Sequence, residues 1–193
     1  MKFIPLKLSG AYIIELNPFQ DERGLFARTF CQREFEAISH TKSFVQINHS
    51  ETSSKGIIRG MHFQIPPFGE VKLIRCVRGK IVDVLLDLRK DSPTFLQHEM
   101  VELSESNRRM VYIPEGFAHG FQSLSSDVIM IYHHTEYYAP EFERGLRYND
   151  PRLNIQWPLA PTTISSRDQT HPLLTDNFQG LSLSEISRLP SYT

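Results

Sequence analysis

Short apolar runs alternate with polar residues through most of the chain, and turn residues separate one run from the next. The pattern is seen in YIIEL (12–16), SFVQINHS (43–50), IIRGMHFQ (57–64), VKLIRCVRG (71–79), KIVDVLLDLR (80–89), MVYIPEG (110–116), GFAHGFQSL (116–124) and DVIMIYHHTEYY (127–138). Their length and their content of Val, Ile and Phe predict strands. Arg78-Gly79-Lys80 predicts a tight hairpin turn between two of them. The even spacing favours an all-β sandwich or barrel over alternating βαβ units. Helices are expected to be few and short. CQREFEAIS (31–39) has helical composition, and Ser182 and Glu185 stand at capping-box spacing at the head of SLSEISRL (182–189), which predicts a helix near the C-terminus. Residues 150–175, rich in Pro, Ser and Thr, read as ordered irregular backbone wrapping the barrel.

Polar residues interrupt three of the strand runs: Lys72, Asp83 and Tyr132. Alternation sets Lys72, Ile74 and Cys76 on one face of their strand, and Val128, Met130, Tyr132 and His134 on one face of theirs. A buried lysine is costly without a partner, and Asp83 is the expected one. His62 lies between Met61 and Phe63 in RGMHFQ (59–64). A dry pocket holding His, Lys, Asp and Tyr suits proton abstraction beside a carbonyl: His takes the proton, Lys stabilises the enolate oxygen, and Tyr returns a proton from another side. Strict alternation sends Arg59 and His62 to opposite faces, so a shared site requires a bend or bulge at Gly60.

The length of 193 residues suits one domain, residues 1–193, with a sizeable core. A net charge of −1 argues against nucleic acid or an anionic membrane surface as the main partner, so any anion must meet a local cluster of Arg and Lys. The N-terminal stretch has acidic and basic residues in place of a signal peptide, and no run is long and apolar enough for a membrane span. Cys31 and Cys76 stand far apart, without a Cys-x-x-Cys spacing. A cytoplasmic protein with free thiols is expected.

Pro114, Gly116 and His119 fit the Pro-x-Gly-x-x-His motif of cupin barrels. The companion motif needs two histidines one residue apart and then a glutamate. Here the positions are His62 and Gln64, with Glu70 displaced. An amide has replaced one imidazole ligand, so a metal-dependent cupin is the weaker reading.

Longer blocks carry a more specific resemblance. FQDERGLFARTF (19–30), QINHSETSSKGIIRGMHFQIPP (46–67), KLIRCVRGKIVDVLLDLRKDSPTF (72–95), YIPEGFAHGF (112–121), YYAPEFERGLRYNDP (137–151) and IQWPLAPTTISSRDQ (155–169) resemble the dTDP-4-dehydrorhamnose 3,5-epimerase family, in order and over nearly the whole chain. The resemblance implies a jelly-roll, cupin-type fold and a homodimer with the first 30 residues in its contacts. It implies inversion of carbons 3 and 5 of a nucleotide-linked 4-keto-6-deoxyhexose, with no metal and no cofactor. His62 resembles the general base, Asp168 the carboxylate that orients it, Lys72 the enolate-stabilising lysine and Tyr132 the acid. Arg23 and Arg59 resemble pyrophosphate ligands, which guanidinium forks suit. Gln46, Asn48 and His119 resemble the lining of the sugar site. Phe19, Phe26 and Tyr138 resemble aromatic surfaces near the base, and Glu143 a polar residue at the rim. Arg28 stands in the base-recognition region where the family often has Glu, which reverses the hydrogen-bonding sense there. That departure opens a rival reading: a single-centre epimerase or a ketoisomerase on a related dTDP-, CDP- or GDP-sugar. His133 replaces a frequent lysine but points away from the Tyr132 face. A binding barrel without catalysis would need neither His62 nor Tyr132. His40, His98 and His171, in polar stretches, are expected in solvent.

Overall fold

The computed structural model describes residues 1–183. Among them the strands are β1 (Lys2–Pro5), β2 (Tyr12–Glu15), β3 (Phe19–Asp21), β4 (Gly24–Phe26), β5 (Gln46–Thr52), β6 (Ile58–Gln64) and β7 (Lys72–Arg78). After these come β8 (Lys80–Asp87), β9 (His98–Ser104), β10 (Met110–Ile113), β11 (Phe117–Ser123), β12 (Val128–His134) and β13 (Glu143–Gly145). The predicted strands are present. The short β1, β3, β4 and β13 and the edge strand β9 lie outside the predicted runs, β9 because HEMVELS mixes polar residues into both faces. The helical stretch at 31–39 is α1 (Gln32–Phe35) followed by a 3-10 turn (Glu36–Ile38). A second short helix, α2 (Ser166–Thr170), interrupts the segment read as irregular. The predicted helix at 182–189 falls at or beyond the last described residues.

One sheet runs β1-β2-β10-β7-β12-β5 and the other β13-β6-β11-β8-β9, with β3 and β4 forming a separate hairpin. The named strands pair antiparallel, and non-consecutive strands lie side by side, as in the expected jelly roll. Ile74, Cys76, Leu85, Val101, Phe121 and Met130 fill the space between the sheets. The outer faces are covered too. Phe35 of α1 packs with Leu73, Met110 and Tyr112 behind the first sheet. Leu146, Leu153, Ile155 and Leu174 of the C-terminal wrap pack on Met61, Phe63 and Leu86 behind the second. Among the described residues no helix is long and apolar enough to cross a membrane.

His40 is buried, not solvated. It sits among Phe30, Phe35 and Phe44, with Nδ1 at 3.1 Å from the Tyr112 hydroxyl. Burial, with a smaller push from the Lys42 charge, holds its pKa below the ordinary histidine value. An unfolded chain therefore binds this proton first. The contribution to stability is full above pH about 6.5 and is lost as pH falls, at up to about 1.4 kcal/mol per pH unit. Chemical denaturation of His40→Phe between pH 7 and 5 should show a flatter loss than wild type. Equal slopes would remove this account of His40.

Candidate active site

A cavity of about 780 Å³ opens between the two sheets. Strand register builds one wall. Tyr132 of β12 pairs with Asn48 and Ile74, and His134 pairs with Gln46 and Lys72. Residues in register share a face. One row therefore carries Gln46, His134 and Lys72 across three strands, and the next carries Asn48 and Tyr132. The alternation that sets Tyr132 inward sends His133 outward, against Phe44.

The opposite wall is β6, where His62 pairs with Gly145 of β13 and His119 of β11. The register of β6 against β11 slips between His119 and Phe121, and Gly60 has φ of +119°. This is the irregularity that alternation required, and with it Arg59 and His62 both line the cavity. Only glycine fits here, since a Cβ on Gly60 would lie 2.5 Å from Gly120 Cα and 2.8 Å from the His119 carbonyl oxygen.

Asp168 reaches this wall from α2. The chain returning before α2 runs beside the start of β6, through Ile58 N–H donating to the Thr163 carbonyl and a bridge from Ile58 to Ile164. Ser165 caps α2, its hydroxyl accepting from Asp168 N–H at 3.1 Å. Asp168 Oδ2 then accepts from Gly60 N–H at 3.0 Å, and Oδ1 lies 2.8 Å from His62 Nε2. Burial pushes the Asp168 pKa up. The hydrogen bonds from His62 and Gly60 outweigh it, and the carboxyl is held below its usual range. An ionised Asp168 accepts Nε2–H, which leaves the Nδ1 lone pair of His62 for the cavity.

Lys72 is buried as expected, but its partner is not Asp83. Its Nζ lies 3.3 Å from Glu70 Oε1, while Glu70 Oε2 lies 2.6 Å from His134 Nδ1. Glu70 stands two residues before Lys72, so extended backbone turns both to the same side. Burial would raise the Glu70 pKa, but Lys72 and His134 hold it below its ordinary value. Asp83 instead faces His119, with Oδ1 3.3 Å from Nδ1. Burial drives this pair in opposite directions: Asp83 well above the carboxylate range despite the Lys72 charge, His119 well below the histidine range. Burial thus disfavours charge on both members of this pair, and Glu70 is the carboxylate beside Lys72.

The Tyr132 hydroxyl lies 3.2 Å from Ser50 Oγ, and burial raises the phenol pKa well above its ordinary value. Asn48 Nδ2 lies 3.3 Å from His134 Nε2, and Gln46 accepts from Tyr138 N–H at 3.0 Å. At the rim, Glu143 accepts from the Tyr138 hydroxyl at 2.7 Å and pairs with Arg167 at 2.5 Å.

Gln46, Asn48, Arg59, His62, Lys72, His119, Tyr132, Tyr138, Glu143 and Asp168 thus line one cavity. Phe19, Arg23, Phe26 and Arg28 do not reach it within this chain. Phe19 and Phe26 pair across the β3–β4 hairpin and are 65% and 76% exposed. Arg23 pairs with Asp21, and Arg28 with Glu34 at 2.7 Å, away from the cavity. Sequence reasoning missed the roles of Glu70, His134, Ser50 and Arg167 in the lining. It also set His171 in solvent, whereas its ring lies edge-on to His62 at 5.6 Å, with Nε2 3.6 Å from Asp168 Oδ1. Burial and the His62 charge hold the His171 pKa down, against Asp168.

The groups of the cupin metal motif are otherwise engaged. Gln64 donates to the Phe68 and Tyr137 carbonyls and accepts from Ala139 N–H, and Glu70 is held by Lys72 and His134.

Comparison with known proteins identifies a family. The family model for dTDP-4-dehydrorhamnose 3,5-epimerase matches residues 5–176. The Shigella flexneri dTDP-4-dehydrorhamnose 3,5-epimerase is 43% identical over 169 residues, which are 87% of this chain and 93% of the relative. The crystal structure of the Bacillus anthracis str. Ames enzyme of that name, with TDP and PPi bound, is 41% identical. It superposes with a TM-score of 0.87 over 90% of this chain and 99% of that one. The Legionella pneumophila Philadelphia 1 dTDP-6-deoxy-D-glucose-3,5-epimerase, in complex with dTDP-4-keto-L-rhamnose, is 40% identical, with a TM-score of 0.85 over 89% and 92%. The chain belongs to the dTDP-4-dehydrorhamnose 3,5-epimerase family of isomerases.

Proposed function

We propose that this protein inverts carbons 3 and 5 of a dTDP-linked 4-keto-6-deoxyhexose through an enolate, with His62 as base and Tyr132 as acid. One observation carries the reading: an imidazole anchored at Nε2 by Asp168 and a half-buried phenol stand on opposite sheets and face one cavity. A C–H beside a ketone is acidified by the carbonyl, so a positioned base removes it once the enolate oxygen meets a cation. Lys72, steadied by Glu70, supports that role. The raised pKa of Tyr132 keeps its proton available at neutral pH for delivery from the wall opposite His62. The chemistry requires no oxidant.

Arg59 supports pyrophosphate binding from the cavity edge. Phe19, Arg23 and Phe26 serve the nucleotide in a homodimer, where the exposed β3–β4 hairpin of one protomer enters the cavity of its partner. That placement accounts for two large aromatic rings left in solvent on a single chain.

The test is incubation in D2O with dTDP-4-keto-6-deoxyglucose, followed by NMR at each carbon. Wild type should incorporate deuterium at carbons 3 and 5. Tyr132→Phe should retain the first exchange and lose the second by about 10²–10⁴-fold. Incorporation at one carbon only in wild type would overturn double inversion. An unimpaired second exchange in Tyr132→Phe would remove the phenol from the mechanism.

A further inference from the structure

We propose that His62, Asp168 and His171 form a capture site for a borderline divalent cation, Zn²⁺ in the first instance, at which the ion shuts off the base. Among the described residues these three offer ligand atoms all within 4.8 Å of one another. Two imidazole nitrogens and a carboxylate are a set that Zn²⁺ and Co²⁺ accept, with a fourth position left open. Bonds of about 2.0–2.1 Å around a tetrahedral ion set its ligand atoms roughly 3.3 Å apart. The separations from Asp168 Oδ1, 2.8 Å to His62 Nε2 and 3.6 Å to His171 Nε2, bracket that value.

His171 is built into this place. Its Nε2 is buried with no hydrogen-bond partner among the described residues. The ring fills a slot over Gly145, where a Cβ would lie 2.3 Å from Nε2. Gly145 is itself the β13 residue opposite His62. The backbone on either side is tied down, as Arg147 Nε donates to the His171 carbonyl at 3.0 Å and Arg147 N–H to the Pro172 carbonyl at 3.2 Å. The cupin motif would join His62 to Gln64, Glu70 and His119 instead, and Gln64 and Glu70 are engaged elsewhere.

Ion capture would act through the imidazole tautomer. In the free protein Nε2 carries the proton toward Asp168, and Nδ1 has the lone pair. A cation on Nε2 takes the Nε2 lone pair, and the single proton of the neutral ring moves to Nδ1. The cavity-facing nitrogen then donates and no longer accepts. This consequence rests on His62 being the base, whereas the binding site does not.

The experiment uses the tag-free full-length protein. Co²⁺ is titrated and followed by its visible absorption, and Zn²⁺ by calorimetry, with no sugar present. Wild type should bind one ion per chain with a tetrahedral Co²⁺ spectrum. His171→Gln keeps the slot filled and should weaken binding more than about tenfold. Gly145→Ala, which displaces the ring, should do likewise with all three ligands retained. Absence of binding in wild type, or equal affinity in His171→Gln, would overturn the site. So would binding that survives His171→Gln but is lost in His119→Ala. Deuterium exchange at carbon 3 is measured separately. Zn²⁺ should slow it with the midpoint seen in calorimetry, and a chelator should restore it. Exchange undiminished in the ion-saturated protein would overturn the shut-off. An ion bound as described by a metal-free protein that shows no exchange at all supports the site and removes the epimerase reading.

Discussion

His62→Ala is expected to lower deuterium incorporation at carbons 3 and 5 alike, by about 10²–10⁴-fold, the usual worth of a positioned base. Both exchanges fall because the proposed enolate forms at the same imidazole each time. Asp168→Asn should lower both as well. An amide cannot give the ring the charge that steadies a developing imidazolium, and it can turn its NH2 toward Nε2 and stabilise the wrong tautomer. The readout is the NMR exchange assay, with circular dichroism to show that the barrel persists. Alanine at 62 leaves a lined cavity rather than a core void, since His62 is only partly buried. Wild-type exchange in His62→Ala would end the proposed mechanism, whatever the other residues do.

Gly60→Ala is expected to be the most damaging single methyl group in the described part of the chain. Two costs add. A non-glycine residue in this backbone region costs about 1–3 kcal/mol. The Cβ would also meet backbone atoms of Gly120 and His119, which have no rotamer to yield, for a further 1–3 kcal/mol or so. At about 2–4 °C per kcal/mol for a chain of this size, Tm should drop by roughly 5–20 °C. Gly24→Ala separates the two costs. Gly24 has a similar φ of +123° but, among the described residues, nothing within 4 Å of its Cβ position, so it should show the backbone cost alone. Thermal denaturation of both variants decides the matter, and equal shifts would refute the close-approach argument. Exchange activity should fall further than stability in Gly60→Ala, because the Gly60 N–H holds the carboxylate that orients His62.

Much of the architecture was legible because alternation is a local property. Apolar periodicity located the principal strands, and it set Tyr132 inward and His133 outward. It also requires the irregularity at Gly60. What periodicity does not encode is which distant segment returns to a given strand. Asp168 lies 106 residues from His62, and the resemblance of SSRDQ to a known family, not spacing, paired them. The same limit explains the wrong partner for Lys72. Asp83 stands out in sequence as a polar interruption in a neighbouring strand, while Glu70, on the same side two residues upstream, resembles a displaced metal ligand. His171 followed a polar stretch and looked solvated, but the chain closes back over Gly145 and buries its ring. The capping spacing of Ser165 and Asp168 was a usable signal for α2. The roles expected of Phe19, Arg23, Phe26 and Arg28 rest on the family resemblance, and one chain alone does not bring them to the cavity.

Since His62 and Tyr132, the proposed base and acid, belong to different layers, the gap between them is a thickness, maintained by Phe121, Met130 and their neighbours in the interior. Those apolar side chains work like the shims of a caliper. A replacement among them that thins or thickens the sandwich by a fraction of an ångström would leave each jaw intact yet mistime the proposed handover between them, and half-converted sugar would escape.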